Sequence, residues 1–395
     1  MKQSLLILGR QPALGLAELE SLYGPTLVKP VGSSSAIVDL PFEDVNFDRL
    51  GGSISLCEVL DRIDSQSWPA VETHLLTKLP DELKSETSAK LRFGLSVIDF
   101  DITPQRLMAT GLKLKKVIQK SGRSVRFVPN IELTLNAAQV IHNGLVKPHG
   151  LEIFLVRGGS QTIVARTIQV QDIDSYTIRD RARPKRDARV GMLPPKLAQI
   201  IINLAGVPPE SEFEVTVLDP FCGTGVVLQE ALLMGYKAVG SDIEPRMVAY
   251  SQANLDWLQS RFNIPSNNYE LVVGDATNHK WTSSFKLVAS ETYLGRPFTD
   301  QPGPDILAKT VEECNLIIKK FLLNIAVQIP AATRLCLAVP AWQISPNRFK
   351  HLPLIDHLAD LGYNQVSFKG VRDDQLLYYR ENQIVGRELL VLVRK

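Results

Sequence analysis

An apolar run, Val215 to Leu218, ends in Asp219-Pro220-Phe221-Cys222-Gly223-Thr224-Gly225, and a helix-forming stretch, Val226 to Met234, follows at once. Strand, glycine turn and helix in that order are the context in which a turn of this kind binds a ligand. Gly223 and Gly225 can take backbone angles closed to residues with a Cβ, and they let a ligand approach the main chain. The helix N-terminus beyond them offers unpaired N–H groups to an anion.

The alternation continues to the end of the chain. Strands are expected at Val215–Leu218, Ala238–Ser241, Leu271–Val273, Leu287–Ala289 and Leu335–Val339. Helices are expected at Val226–Met234, Met247–Leu258, Ile306–Leu323 and Leu352–Leu361, and a closing antiparallel hairpin at Val366–Val371 and Leu389–Val393. Such alternation predicts an α/β fold, a mainly parallel doubly wound sheet with ligands at the strand C-terminal ends. The first part of the chain reads as α+β. It has short strands at Leu5–Leu8 and Ala36–Val38, a helix around Leu14–Leu22, a strand over Leu91–Phe100 and a helix over Pro104–Ser121. Further strands are expected at Val125–Phe127, Ile153–Val156 and Thr162–Thr167. The 395 residues suffice for two or three domains. Boundaries are placed near Asp64 and at Tyr176, giving units 1–64, 65–175 and 176–395.

Three acids fall at the ends of the first three strands of the last unit: Asp219, Asp242 in Gly240-Ser241-Asp242-Ile243, and Asp275 in Gly274-Asp275-Ala276. An acid about 20 residues past a glycine turn is placed to hold the hydroxyls of a ribose. Asp275, with Ala276 beside it, suits the exocyclic amine of an adenine, and Ile243 would pack on the ring. The ligand therefore contains adenosine, and both NAD and S-adenosylmethionine (SAM) qualify. The dinucleotide fingerprint wants a third glycine, whereas Val226, Val227 and Leu228 follow Gly225. A turn with only Gly-x-Gly fits a smaller anion, such as the methionine carboxylate of SAM, and Asp219, Phe221, Gly223 and Gly225 would together bind the methionine end.

These residues resemble a class I SAM-dependent methyltransferase. The stretch Arg181-Ala182-Arg183-Pro184 through Gly191-Met192-Leu193-Pro194-Pro195-Lys196-Leu197-Ala198, then Asn203-Leu204-Ala205, resembles the entry to the catalytic domain of THUMP-containing tRNA guanosine N2-methyltransferases. The opening Leu6-Ile7-Leu8-Gly9-Arg10, with Leu16-Ala17-Glu18-Leu19-Glu20, is similar to that family's start. The resemblance implies a Rossmann-like catalytic domain preceded by a ferredoxin-like unit (1–64) and a THUMP-like RNA-binding domain (65–175). It also implies SAM as cofactor, RNA and above all tRNA as partner, and N2-methylguanosine as product. A small partner subunit is compatible with it, although no segment of the sequence marks one.

One departure stands out. That family carries Asp-Pro-Pro-Tyr, or Asn for Asp, at the end of the fourth strand, where the acid or amide accepts from the target amine and the ring stacks on the base. Here the chain reads Ser290-Glu291-Thr292-Tyr293-Leu294-Gly295. Tyr293 keeps the stacking position and Ser290 takes that of the acid. Glu291 offers a carboxylate one residue later, which on a strand faces the opposite side. The expected catalytic set is Ser290, Glu291 and Tyr293. The alternatives are an amino-methyltransferase of ribosomal RNA or DNA, and a methyltransferase fold that binds RNA without turnover.

A net charge of +2 does not single out a nucleic-acid partner, but Arg179, Arg181, Arg183, Lys185, Arg186 and Arg189 cluster beside several prolines in what reads as a linker. Arginine forks bind phosphate well, so this cluster is the candidate RNA contact. Lys113, Lys115, Lys116 and Lys120 read as a solvated helix face. The cysteines (Cys57, Cys222, Cys314, Cys336) lack C-x-x-C spacing and the histidines lack metal spacing, which suits a reducing cytoplasm without a metal site. The most apolar later segment, Leu316 to Ile329, is broken by Lys319 and Lys320, so no membrane span is expected.

Overall fold

The computed structural model describes residues 2–79, 90–187, 192–206, 215–265, 268–381 and 383–395. Arg189 and Gly191, part of the expected linker, lie outside the described residues. The chain divides into two compact units. The first is Met1–Leu16, Tyr23–Asp48 and Gly52–Asp174; the second is Ala17–Leu22, Arg49–Gly51 and Ser175–Lys395.

The first unit holds strands β1 (Ser4–Leu8), β2 (Val28–Val31), β3 (Ser35–Val38), β4 (Ser53–Ile63), β5 (Leu91–Ile98), β6 (Val125–Phe127), β7 (Gly150–Gly158) and β8 (Gln161–Val170). They form one sheet in the order β2-β3-β1-β4-β8-β7-β5-β6. The β4–β8 ladder, Ser55 opposite Val170 to Ile63 opposite Thr162, carries that sheet across the sequence position near Asp64. The helix Pro104–Lys120 starts at Thr103, whose hydroxyl accepts from Arg106 N–H. It buries Leu107, Gly111, Leu114 and Ile118, a helical spacing. Lys113 lies outside that stripe and pairs with Glu72 at 3.0 Å, as a solvated face does.

The second unit holds β9 (Thr216–Asp219), β10 (Lys237–Asp242), β11 (Tyr269–Val273), β12 (Leu287–Glu291), β13 (Arg334–Ser345), β14 (Arg348–Lys350), β15 (Tyr363–Gln365), β16 (Leu377–Tyr378) and β17 (Val385–Arg394). The sheet order is β11-β10-β9-β12-β13-β17-β15, with β14 on β13 and β16 on β17. Strands β9 to β13 pair in parallel, and β17 runs antiparallel between β13 and β15. The inner strands are apolar because both faces are covered: Val217, Leu218, Val288, Ala289 and Leu335 are fully buried. Three helices of this unit, Pro195–Leu204, Pro245–Phe262 and Pro304–Ala326, begin with proline, whose fixed φ and missing N–H suit the first turn. The last of them buries Val311, Cys314, Ile318, Phe321, Leu322 and Ile325 in the core and turns Lys319 and Lys320 outward. No helix among the described residues is long and apolar enough to cross a membrane.

Three expectations differ from what is found. Residues 352–361 form only a 3-10 turn, Pro353–His357, before Gly362 reverses the chain at φ +85°. In place of the strand expected at Val366–Val371 the chain forms β15, which ends at Gln365, and Lys369 and Gly370 N–H donate to the Glu20 carboxylate rather than to a ladder. The expected linker begins as a helix, Ile173–Arg181.

Candidate functional site

The C-terminal ends of β9, β10 and β12 and the loop after β11 open on one cleft of about 730 Å³, a volume usual for small-ligand sites. The strand order changes direction between β9 and β12, which is where a doubly wound sheet parts to admit a ligand. Asp219, Phe221, Gly223, Asp242, Ile243, Asp275, Ala276, Glu291 and Tyr293 all line it.

The glycine turn is held by short backbone bonds, Gly225 N–H to Cys222 O at 2.7 Å and Cys222 N–H to Ser241 O at 2.9 Å. Gly223 and Gly225 have φ of +51° and +82°, values that side chains with a Cβ rarely take. Gly225 caps the helix Val226–Leu233 and, unlike Gly223, does not line the cleft. It sets the turn instead: a Cβ there would stand 2.9 Å from Ser251 Oγ.

Asp242 fixes the turn from the neighbouring strand. Its Oδ2 accepts from Gly223 N–H and its Oδ1 from Glu244 N–H, both at 2.9 Å. Burial raises its carboxyl against these donors, and each oxygen keeps a lone pair for a hydroxyl of a ligand. Ile243, 68% exposed, presents an apolar side chain beside it, a suitable floor for a flat ring. Asp275 accepts from Thr277 N–H at 2.9 Å and Thr277 Oγ1 at 2.8 Å, which pins it at the mouth of β11.

Asp219 is 2% exposed. Its Oδ1 accepts from Ser290 Oγ at 2.5 Å and from Phe221 N–H at 3.2 Å. Burial pushes its carboxyl up to about 7; Ser290 and Phe221 oppose the rise, and Asp242 and Glu291 add to it.

The three expected catalytic residues separate. Ser290 is fully buried and lies beneath the cleft, its hydroxyl committed to Asp219. Glu291, still within β12, does line the cleft and is ion-paired with Arg387 of β17. Burial raises the Glu291 carboxyl and Arg387 pulls it back. Tyr293 is half-buried on the cleft wall, its hydroxyl raised by burial and by the hydrogen-bonded Glu313. Glu313, which lines the cleft, and Arg387, which reaches it through Glu291, were missed by the sequence reading. The local signal for Arg387 was weak, one of three charges (with Glu388 and Arg394) in a mostly apolar closing strand.

The basic cluster also separates. Arg179 points its Nε at Glu230 Oε1, 3.2 Å away, and stacks its guanidinium over the Tyr176 ring at 4.3 Å. Arg183 is 3% exposed, and none of its guanidinium nitrogens has a hydrogen-bond partner among the described residues. Burial lowers its basicity, while Asp180 and Glu230 favour its charge. These two arginines are turned into the unit, whereas Arg181, Lys185 and Arg186 remain exposed.

Residues 183–296, which contain the turn and all three acids, match the UPF0020 family model, an RMKL-like methyltransferase domain. A curated relative from Methanothermobacter thermautotrophicus, named tRNA (guanine(10)-N2)-dimethyltransferase, is 30% identical over 38% of this chain and 39% of its own length. A protein of the same name from Pyrococcus abyssi is 27% identical over 55% of this chain and 66% of its own. The chain thus spans less than two thirds of the length of these relatives. Among solved structures, TrmN from Thermus thermophilus matches with a TM-score of 0.54 at 14% identity, covering 100% of both chains. The fold is the Rossmann-like one of class I methyltransferases.

Proposed function

We propose that this chain is a SAM-dependent RNA methyltransferase that modifies the N2 amine of a guanosine in tRNA. The observation that carries the reading is one cleft in which a glycine turn and the carboxylates Asp219, Asp242 and Asp275 converge from adjacent strands. The residues fit SAM. Asp242 would hold the ribose hydroxyls, Asp275 the adenine amine, Ile243 the ring face, and the turn with Asp219, Phe221 and Gly223 the methionine end. When bound, SAM supplies a methyl group on a positively charged sulfur, ready for attack by a lone pair. Tyr293 would stack the target base beside it, which requires the base to leave any helix stack. Glu291 would accept a hydrogen from the amine and turn its lone pair toward the methyl carbon. The proton that the amine gives up would pass from the Glu291 side of the cleft to solvent. Positioning supplies much of the rate in such a transfer.

The names of the relatives support tRNA and the guanine amine. The exposed Arg181, Lys185 and Arg186 support contact with an RNA backbone. A THUMP-like role in RNA binding for residues 65–175 is part of the same proposal. The burial of Ser290 favours one rival, a fold that binds SAM and RNA without turnover. Labelled SAM with bulk tRNA, followed by nucleoside mass spectrometry, separates the two: label in N2-methylguanosine supports the proposal, and bound SAM without transfer supports the rival. Asp242→Ala removes the ribose acceptor and both turn contacts. It should weaken SAM binding by about a hundredfold, as expected for charge-assisted hydrogen bonds. Unchanged affinity in calorimetry would contradict the cofactor assignment.

A further inference from the structure

We propose that Arg387 is a positioning residue for methyl transfer, holding Glu291 so that its carboxylate replaces the missing acid at position 290. The proposal rests on the reading of the cleft as an amine methyltransferase site.

The register of the sheet makes the pair. Glu291 stands opposite Ala338 on β13, and Arg387 stands opposite Pro340 on the same strand. Residues two apart on a strand share a face, so Glu291, Ala338, Pro340 and Arg387 lie on one side of the sheet. Ala338 ends at its Cβ and so carries nothing long between Glu291 and the guanidinium, which reaches over from β17. The Arg387 side chain is 6% exposed and that of Glu291 15%. Arg387 donates through Nε to Glu291 Oε1, and Oε2 has no hydrogen-bond donor among the described residues. The carboxylate is therefore anchored at one oxygen and open at the other, on the wall of the cleft.

Position 290 makes this arrangement necessary. A side chain there is turned under the cleft, where Ser290 donates to Asp219. It faces no substrate, so the only carboxylate that β12 itself gives the cleft is Glu291. A lone glutamate on a strand end samples several rotamers, and fixing it against a fork removes that freedom before the base arrives.

The test uses the full chain with labelled SAM and bulk tRNA, measuring kcat and KM for tRNA, SAM affinity by calorimetry and melting temperature. Arg387→Met should lower kcat by roughly tenfold to a hundredfold with SAM affinity little changed. Arg387→Lys should restore a large part of it. In an E291Q background the same Arg387→Met change should add almost nothing, because a residue that acts through Glu291 loses its effect once Glu291 is gone. Should Arg387→Met alone fail to fold, the double variant, which removes both buried charges together, and Arg387→Lys still decide the matter. Then a double variant as slow as E291Q, with Arg387→Lys close to wild type, supports the proposal. Losses that multiply in the double variant, or an unaltered kcat in folded Arg387→Met, overturn it. A wild-type protein that methylates no exocyclic amine overturns the functional reading and this proposal together. An active wild type with an indifferent Arg387 overturns only the latter.

Discussion

Asp219 joins the ligand side of the cleft to its foundation, and its protonation should be visible in solution. The carboxyl rises from 3.8 to about 7, chiefly because it is buried. Between those values the folded protein holds a proton that the unfolded chain has released, so stability falls as pH rises through this window and levels off above about 7. At about 1.4 kcal/mol per pH unit the full effect is roughly 4 kcal/mol. Asp219→Asn keeps an oxygen for Ser290 and Phe221 but carries no charge. Its ligand-free melting temperature should therefore exceed that of the wild type at pH 8, with the gap closing toward pH 5. A gap independent of pH would show that Asp219 stays ionised throughout. With the methionine end of SAM placed at Asp219 as proposed, its ammonium would favour the carboxylate: affinity should rise as pH climbs through about 7 in the wild type and stay flat in Asp219→Asn. The turn and its acids were legible in the sequence because glycine spacing and strand-end acids are local signals. Arg387 was not, because its partner lies 96 residues away and only the strand order brings them together.

The loop after β12 and the helix Pro304–Ala326 act as one element on the cleft wall that carries Tyr293. Gly295 has φ +83°, and a Cβ at that position would stand 2.7 Å from Thr310 Cγ2 and 3.3 Å from Cys314 Sγ. The loop carrying Tyr293 can therefore lie against the helix only with glycine there. Gly295→Ala should push that loop outward and lower kcat by roughly tenfold, while SAM affinity, assigned in the proposal to β9, β10 and β11, should stay close to wild type. A loss of SAM binding to match would mean that the two sides of the cleft are not separable. Elements of this unit were readable where burial is one-dimensional. The inner parallel strands are short apolar runs and the long helices have a clear stripe. The end of the chain was less so. The stretch from Val366 to Val371 reads as a strand, yet its N–H groups at Lys369 and Gly370 go to Glu20, about 350 residues away. The long strand β4 was likewise missed, since its ladders to β1 and β8 are set by distant sequence.

For the molecule as a whole, a net charge of +2 gives no general attraction to a polyanion, so the proposed RNA binding would have to rest on local charge. Within the run from Arg179 to Arg186 the burial pattern assigns two tasks to similar residues. Arg179 and Arg183 face the buried Glu230, whose carboxyl burial pushes up to about 7 against their pull. Arg181, Lys185 and Arg186 face water. The two groups should respond differently to substitution. Removing the exposed three together (R181A, K185A and R186A) should raise KM for tRNA and leave SAM affinity and melting temperature near wild type. It should also flatten the dependence of log affinity on log salt by about one for each phosphate the protein no longer neutralises. Arg183→Ala should instead act through the fold, shifting the melting temperature, since it removes a buried charge that helps to compensate the Glu230 carboxylate. Its salt slope should match that of the wild type. Filter binding across a salt series, run beside thermal melts, separates the two. An exposed triple variant with an unaltered slope would remove this segment from the RNA path and shift phosphate binding to another surface.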